Sequence, residues 1–542
     1  MMKRILIAAA SVFAIVACSP SSNDAPPMSL AKKKAPTNYA AEGWTAMALQ
    51  ELAAALKAGD ISAEELTAAY IARIEAIDRS GPELQSVLTV NPNALEDARA
   101  LDVKRAAGET LGSLHGVPVL LKDNIESLDP MPTTAGALAL KENVTGRDSP
   151  LVAGLRAQGA IILGKTNLSQ WANFRSHSSM SGWSALGGQV KNPHMLDRNP
   201  CGSSSGSGSG LAASLAAGAV GTETNGSIIC PSNVNGIVGF KPTVGLVSQQ
   251  YIVPISSSQD TAGPMTKTVT GAAMMLNAMA TGEAKTDYVA ALDANSLDGA
   301  RVGVMRFSTN SNADINAKFD AALDAMEAAG AVLVEIDEFE LATEDFQSKS
   351  LDVLLYEFKA TLNDYLSHSA PAVTTRTMDD LIAFNKAHAD VELALFDQSI
   401  FEQAAPLGGL DSPDYIKARD DVQAATRRDG IDAMMAEYQL DVLVSPSGPV
   451  SPRIDPVNGD VWPDWAGAGY IAAIAGYPHV TVPMGAIHGI PVGISFMGAK
   501  DQDAAVLSYG FAYEQRTMLR TEPQYIEDAE SREEIAAAMK RK

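Results

Sequence analysis

The sequence predicts an α/β fold, a single large layered domain with a central mixed β-sheet flanked by helices. Three observations carry this. Short aliphatic and β-branched runs recur at 117–121, 160–163, 301–305, 331–336 and 441–444. Stretches of helical apolar spacing separate them, and strands alternating with helices pack as layers. Hydrophobic residues make up 46% of the 542 and charged residues 19%, which excludes a disordered polymer.

Taken in chain order, residues 1–17 are an address. Lys3 and Arg4 precede an apolar run over 5–17, too short for a bilayer span of roughly 20 residues. The run ends Ile15-Val16-Ala17-Cys18, which resembles a bacterial lipobox and predicts acylation of Cys18. Ser19 resembles the outer-membrane sorting choice. Ordinary signal cleavage, with Cys18 incidental, is the alternative. The expected location is therefore the periplasmic face, lipid-anchored, with the outer membrane favoured. Residues 18–43 are rich in Pro, Ser and Lys and read as a flexible tether. The folded domain is expected over 44–542. Leu49, Leu52, Ala53 and Leu56 make one helical stripe, broken at Gly59-Asp60. Ser62 and Glu65 form a capping box ahead of a second stripe of Leu66, Tyr70, Ile71 and Ile74. Residues 308–440 are more helical and predict a lid or flank over the core. No repeat and no linker divides the domain.

Composition narrows the function. The net charge of −23 repels phosphate backbones, which argues against a nucleic-acid partner. Three cysteines cannot build a disulfide scaffold. The seven histidines show no paired ligand spacing, so no metal site and no cofactor are expected.

Three segments stand out. In HGVPVLLKDN (115–124) an apolar strand delivers Lys122 at its end. In PCGSSSGSG (200–208) a Gly/Ser run precedes an Ala-rich stretch over 211–220, read as a helix, instead of continuing as a linker. In GTETNGSIICP (221–231) a small-residue turn exposes a hydroxyl. Alone, each has an ordinary reading as a surface lysine, a linker or a turn.

In this order and spacing they resemble the amidase signature family, together with GFKPT at 239–243 and GPMT at 263–266. The resemblance spans roughly 45–520, and the wording of 200–208 and 221–231 is closest to peptide amidases. It implies a Ser–Ser–Lys triad: Ser227 as nucleophile, Ser203 after a cis Gly202-Ser203 bond as bridge, and Lys122 as base. It also implies that main-chain N–H groups of the turn Thr224-Asn225-Gly226-Ser227 receive the oxyanion. The residue types suit this chemistry. A serine hydroxyl needs a base, a lysine becomes one only when desolvation keeps it neutral, and a hydroxyl can accept one proton while giving another. A chain Ser227→Ser203→Lys122 of hydrogen bonds is expected. The implied reaction converts a carboxamide, with a C-terminal peptide amide as the favoured substrate, to carboxylate and ammonia through an acyl-enzyme. Gly202, Ser204 and Thr224 are further candidates for substrate contact, the last two equally for support. The expected partner is a small-molecule or peptide amide, and the only membrane contact is the lipid anchor.

Some positions depart from the family's usual pattern: Asn225, Ile229, Glu223 and Cys201. Cys201 and Cys230 flank the two serine loops. They could pair in an exported protein, but are read here as two small buried hydrophobes. Other readings are an α/β-hydrolase using Ser204 with His479 or His488, a non-catalytic peptide-binding lipoprotein, and the amidotransferase component that acts on charged tRNA. The residues before Ser204 are not an apolar strand, all three triad residues are present, and an export signal disagrees with translation.

Overall fold

Eleven strands join in one sheet in the computed structural model, which describes residues 39–541. The segment 1–17, Cys18 and the tether up to 38 lie outside the described residues. In chain order the strands are β1 (Val87–Val90), β2 (Pro118–Lys122), β3 (Ile161–Thr166), β4 (Gly218–Glu223), β5 (Val238–Lys241), β6 (Thr261–Thr266), β7 (Arg301–Met305), β8 (Val332–Ile336), β9 (Val442–Pro446), β10 (His479–Ile487) and β11 (Ile490–Met497). Across the sheet they run β1-β3-β2-β4-β6-β5-β10-β11-β9-β7-β8. β3, β2 and β4 are mutually parallel, as are β9, β7 and β8. The remaining pairings are antiparallel. The fold is thus a single large α/β domain with a mixed central sheet.

The five predicted strands lie at β2, β3, β7, β8 and β9. Continuous apolar runs mark strands covered on both faces, and every residue of β2 and β3 is buried, whereas β8, at the end of the sheet, is partly exposed. Helices α1 (Leu49–Ala58) and α2 (Ala63–Arg73) follow the two predicted stripes. Ser62 caps α2: its hydroxyl accepts from Glu65 N at 3.1 Å, and its N–H donates to Glu65 Oε2 at 3.1 Å. Residues 39–43, placed in the tether by composition, are held on the domain. Tyr39 packs edge-on against Tyr525 at 5.6 Å, and its carbonyl accepts from Arg73 Nη2 at 2.8 Å.

The expected helix over 211–220 is not formed. Helix α3 (Ser205–Ala212) starts inside the Gly/Ser run, and 218–223 is strand β4. Packing overrides the propensity of the alanines. A Cβ at Gly206 would lie 2.3 Å from Ser86 O, so α3 can press this closely onto its neighbours only with glycine there. Gly221 likewise lets β4 pass 2.7 Å (from a built Cβ) beside Met265 Sδ.

Within 308–440 the chain is largely helical apart from β8. Helix α5 (Phe346–Ser367) buries Leu355, Phe358 and Leu362 with Trp171, Val253 and Ile255 of the central loops. It is a packed wall beside the carboxyl ends of β2 and β4.

Candidate active site

The site grows from two parallel neighbours. β2 and β4 end at the same sheet edge, where open α/β sheets bind ligands. β2 ends in Lys122, and β4 runs into the turn 224–227, after which helix α4 (Ile229–Asn235) begins. The loop 200–204 enters α3 beside them, and its Gly202-Ser203 bond is cis, as the family resemblance implied.

Lys122 is fully buried. Its Nζ lies 2.8 Å from Ser203 Oγ, 2.8 Å from Thr222 Oγ1 and 3.2 Å from Thr222 O. Burial lowers its pKa from 10.5 to about 7, against the opposing charges of Asp260 and Glu223. Asn124 Nδ2 donates to Thr222 Oγ1 at 3.0 Å, which orients that hydroxyl.

The expected hydroxyl bond between Ser203 and Ser227 is not made. The two loops meet through main chain instead, Ser204 N donating to Ser227 O at 3.2 Å. The Ser203 hydroxyl is turned to Lys122, while Ser227 sits half-exposed on the turn with its hydroxyl unpaired among the described residues. Such bonds are often open in a free site and close around substrate.

The turn is held at its flanks. Glu223 Oε2 accepts from Ile228 N at 2.7 Å and Ile229 N at 3.0 Å. Thr224 Oγ1 donates to Asp260 Oδ1 at 2.6 Å, and Cys230 N donates to Gly226 O at 2.8 Å. Gly226 has φ +80°, with no atom within 4 Å of a built Cβ, so it is required by conformation and not by space. The N–H groups of Asn225, Gly226 and Ser227 have no acceptor among the described residues. A turn presenting free donors beside a hydroxyl can stabilise an oxyanion.

One expectation from the sequence is corrected, and two open alternatives are decided. Cys201 and Cys230 form a disulfide, Cα atoms 5.9 Å apart, because the two loops converge there. Trp462 packs against it. Ser204 is supportive: its buried hydroxyl donates to Thr222 O at 3.1 Å and accepts from Thr222 N at 3.2 Å. His479 is also buried and shares a 2.6 Å hydrogen bond with Ser495, so it is not partnered with Ser204. Two further residues, Thr222 and Asp260, join the site without having been expected there. Thr222 lies in the third motif, and its alternation with Thr224 along an extended segment is a usable signal. Nothing in the spacing points to Asp260. Asn225 is exposed, and Gly202 is buried where a Cβ would fall 2.1 Å from Ser169 Oγ. Among the described residues no His, Cys, Asp and Glu cluster could hold a metal, and no helix is long and apolar enough to cross a membrane.

A cavity of about 640 Å³ opens beside this edge, and Asn124, Thr222, Thr224, Asp260, Tyr251 and Tyr365 are among its lining residues. Arg147 lies over the Tyr251 ring at 4.2 Å.

The amidase family model matches residues 65–507. The native peptide amidase of Stenotrophomonas maltophilia is 44% identical with a TM-score of 0.84, covering 88% of this chain and 98% of its own. A structure of peptide amidase PAM with the competitive inhibitor chymostatin aligns with the same identity and TM-score, covering 88% of this chain and 99% of its own. A protein named "Probable amidase" from Arabidopsis thaliana is 36% identical over 499 residues, 88% of this chain and 91% of that protein. With a family model over most of its length and relatives matched almost end to end, the chain belongs to the amidase signature family and is an amidase, a hydrolase of amide bonds.

Proposed function

We propose that this amidase cleaves C-terminal peptide amides with a Ser227–Ser203–Lys122 triad, releasing ammonia and a free carboxylate. One observation carries the reading: a fully buried lysine, its pKa lowered to about 7, bonded at 2.8 Å to the serine of the cis Gly202-Ser203 pair. Thr222 O can only accept, so a neutral Lys122 gives one N–H to it and one to Thr222 Oγ1. Its lone pair is then left for the Ser203 proton. Rotation of the Ser227 hydroxyl towards Ser203 closes the relay. Ser227 Oγ attacks the carbonyl carbon while its proton passes to Ser203 and the Ser203 proton to Lys122. The oxyanion is received by the free N–H groups of the turn. Collapse breaks the C–N bond, Lys122 returns the proton through Ser203 to the leaving amine, and water repeats the path on the acyl-enzyme. Ammonia is a small leaving group, so the large cavity beside Thr222 and Thr224 is assigned to the acyl side, that is, to the peptide. The likeness to peptide amidases supports that substrate class. Export with a lipid on Cys18 stays part of the proposal, supported by the lipobox-like Ile15-Val16-Ala17-Cys18 and by a disulfide suited to an oxidising compartment.

Ammonia release from a panel of peptide amides tests the reading. Ser227→Ala should abolish it and Ser203→Ala should lower it at least a thousandfold, with both proteins folded. Full activity in the Ser227 variant overturns the assignment.

A further inference from the structure

We infer that Asp260 is a positioning residue for this reaction: its carboxylate pins the nucleophile turn to the cavity wall and sets the charge that faces Lys122. The inference rests on the triad reading above. Asp260 immediately precedes β6, which pairs antiparallel with β4 so that Thr261 lies opposite Glu223. This register brings Asp260 beside Thr224. Oδ1 accepts from Thr224 Oγ1 at 2.6 Å, and Oδ2 accepts from the N–H groups of Ile255 and Ser256 at 2.8 and 2.9 Å. One carboxylate thus joins the first residue of the nucleophile turn to a loop that lines the cavity.

That loop is fixed in turn by α5. The buried Glu357 accepts from the Ser256 hydroxyl and from Ser258 N at 3.0 Å with one oxygen, and from Tyr415 OH at 2.7 Å with the other. Ser256 therefore stands between two carboxylates, giving its N–H to one and its O–H to the other. The path from α5 through Glu357, Ser256, Asp260 and Thr224 to the turn is continuous. The Thr224 O–H is committed to this path, leaving its oxygen only as an acceptor.

The charges facing Lys122 are Asp260, beside β6, and Glu223, on β4. Glu357, from α5, faces Asp260. Burial first, and Glu357 least, raise the Asp260 carboxyl to about 6, so it is charged at neutral pH. Its negative charge favours the ammonium form of Lys122. Removing it extends the neutral amine to lower pH.

The test is kinetic pH profiles on a peptide amide for the wild type, Asp260→Asn, Thr224→Val and Thr224→Ser. Asp260→Asn should lower kcat about 100-fold, as expected when reacting groups lose alignment by about an ångström. It should also move the acidic limb of kcat/KM to lower pH. Thr224→Val keeps the carboxyl group but removes its hydroxyl partner, and should lower kcat with a smaller movement of the limb than Asp260→Asn. Thr224→Ser keeps the hydroxyl and should restore most of the rate. An unmoved limb in Asp260→Asn, or wild-type kcat in Thr224→Val, overturns the proposal. The second result does so even where Asp260→Asn fails to fold. A wild type lacking any acidic limb near 7 instead counts against Lys122 as the base, leaving the two failures distinguishable.

Discussion

The proposed base, a buried amine that must be neutral to act, weakens the fold that holds it, and Lys122→Met exposes that conflict. In the unfolded chain the amine titrates near 10.5 and in the fold near 7. Above 10.5 both states are neutral and the burial costs nothing. As pH falls from 10.5 towards 7 the unfolded state alone gains the proton, and stability drops by about 1.36 kcal/mol per pH unit. Below about 7 both states are charged and the full penalty, of order 5 kcal/mol, remains. Methionine fills similar volume without a charge. It leaves Ser203 Oγ, Thr222 Oγ1 and Thr222 O with one partner fewer, which costs about 1 kcal/mol each. The variant should therefore be more stable than the wild type at pH 6 by about 2 kcal/mol and less stable at pH 10.5 by about 3 kcal/mol, the curves crossing near pH 8. It should also be inactive. Urea unfolding of both proteins between pH 6 and 10.5 reads the difference, in which titrating groups remote from Lys122 cancel. A stability gap independent of pH would refute the lowered proton affinity of Lys122, and with it the proposed base.

Activity of the wild type should rise with pH through about 7 as Lys122 loses its proton; a flat profile from pH 5 to 8 would contradict this. Ser204→Ala should retain most ammonia release while losing about 1 kcal/mol of stability in urea unfolding, because its hydroxyl serves Thr222. Replacing both Cys201 and Cys230 by Ala opens a link 29 residues apart in sequence and should cost about 3.6 kcal/mol on the chain-entropy model, read as a lower melting temperature. Gly226→Ala, at φ +80°, should cost about 1–2 kcal/mol and lower kcat more than it changes KM.

The layered class was legible because buried central strands leave continuous aliphatic runs, as at β2 and β3. Strand β4 was not, since Gly218-Ala-Val-Gly221 has no β-branched majority and owes its form to pairing with β2 and β6. Lys122, Ser203 and Ser227 were legible only through the family's motifs. A lysine after a strand and a Gly/Ser run have commoner meanings. The cysteine pairing was misjudged because spacing alone does not say which loops converge. Asp260 stayed hidden for a similar reason. Its partners, Thr224 and Ser256, are joined to it by sheet register and by a turn, which no single-chain periodicity reports.

The site must satisfy two demands that oppose each other. An oxyanion needs main-chain donors left empty, yet a turn with empty donors has lost the bonds that normally fix it. Here the flanks supply the rigidity: Glu223 holds Ile228 and Ile229, Asp260 holds Thr224, and the disulfide holds Cys230. The N–H groups of 225–227 are thereby spared. Two carboxylates so near a developing negative charge ought to repel it. The two oxygens that grip the turn already accept hydrogen bonds from the chain, Glu223 Oε2 from two N–H groups and Asp260 Oδ1 from Thr224, while Asp260 Oδ2 accepts two more. Hydrogen bonding draws off charge at these oxygens, although the buried Glu223 Oε1 has no partner among the described residues, and the charge of the pair opposes the desolvation of Lys122. The same pair that stiffens the turn thus also holds up the proton affinity of the buried amine, so in the proposed triad the rigidity of the nucleophile and the basicity of the lysine share one electrostatic origin.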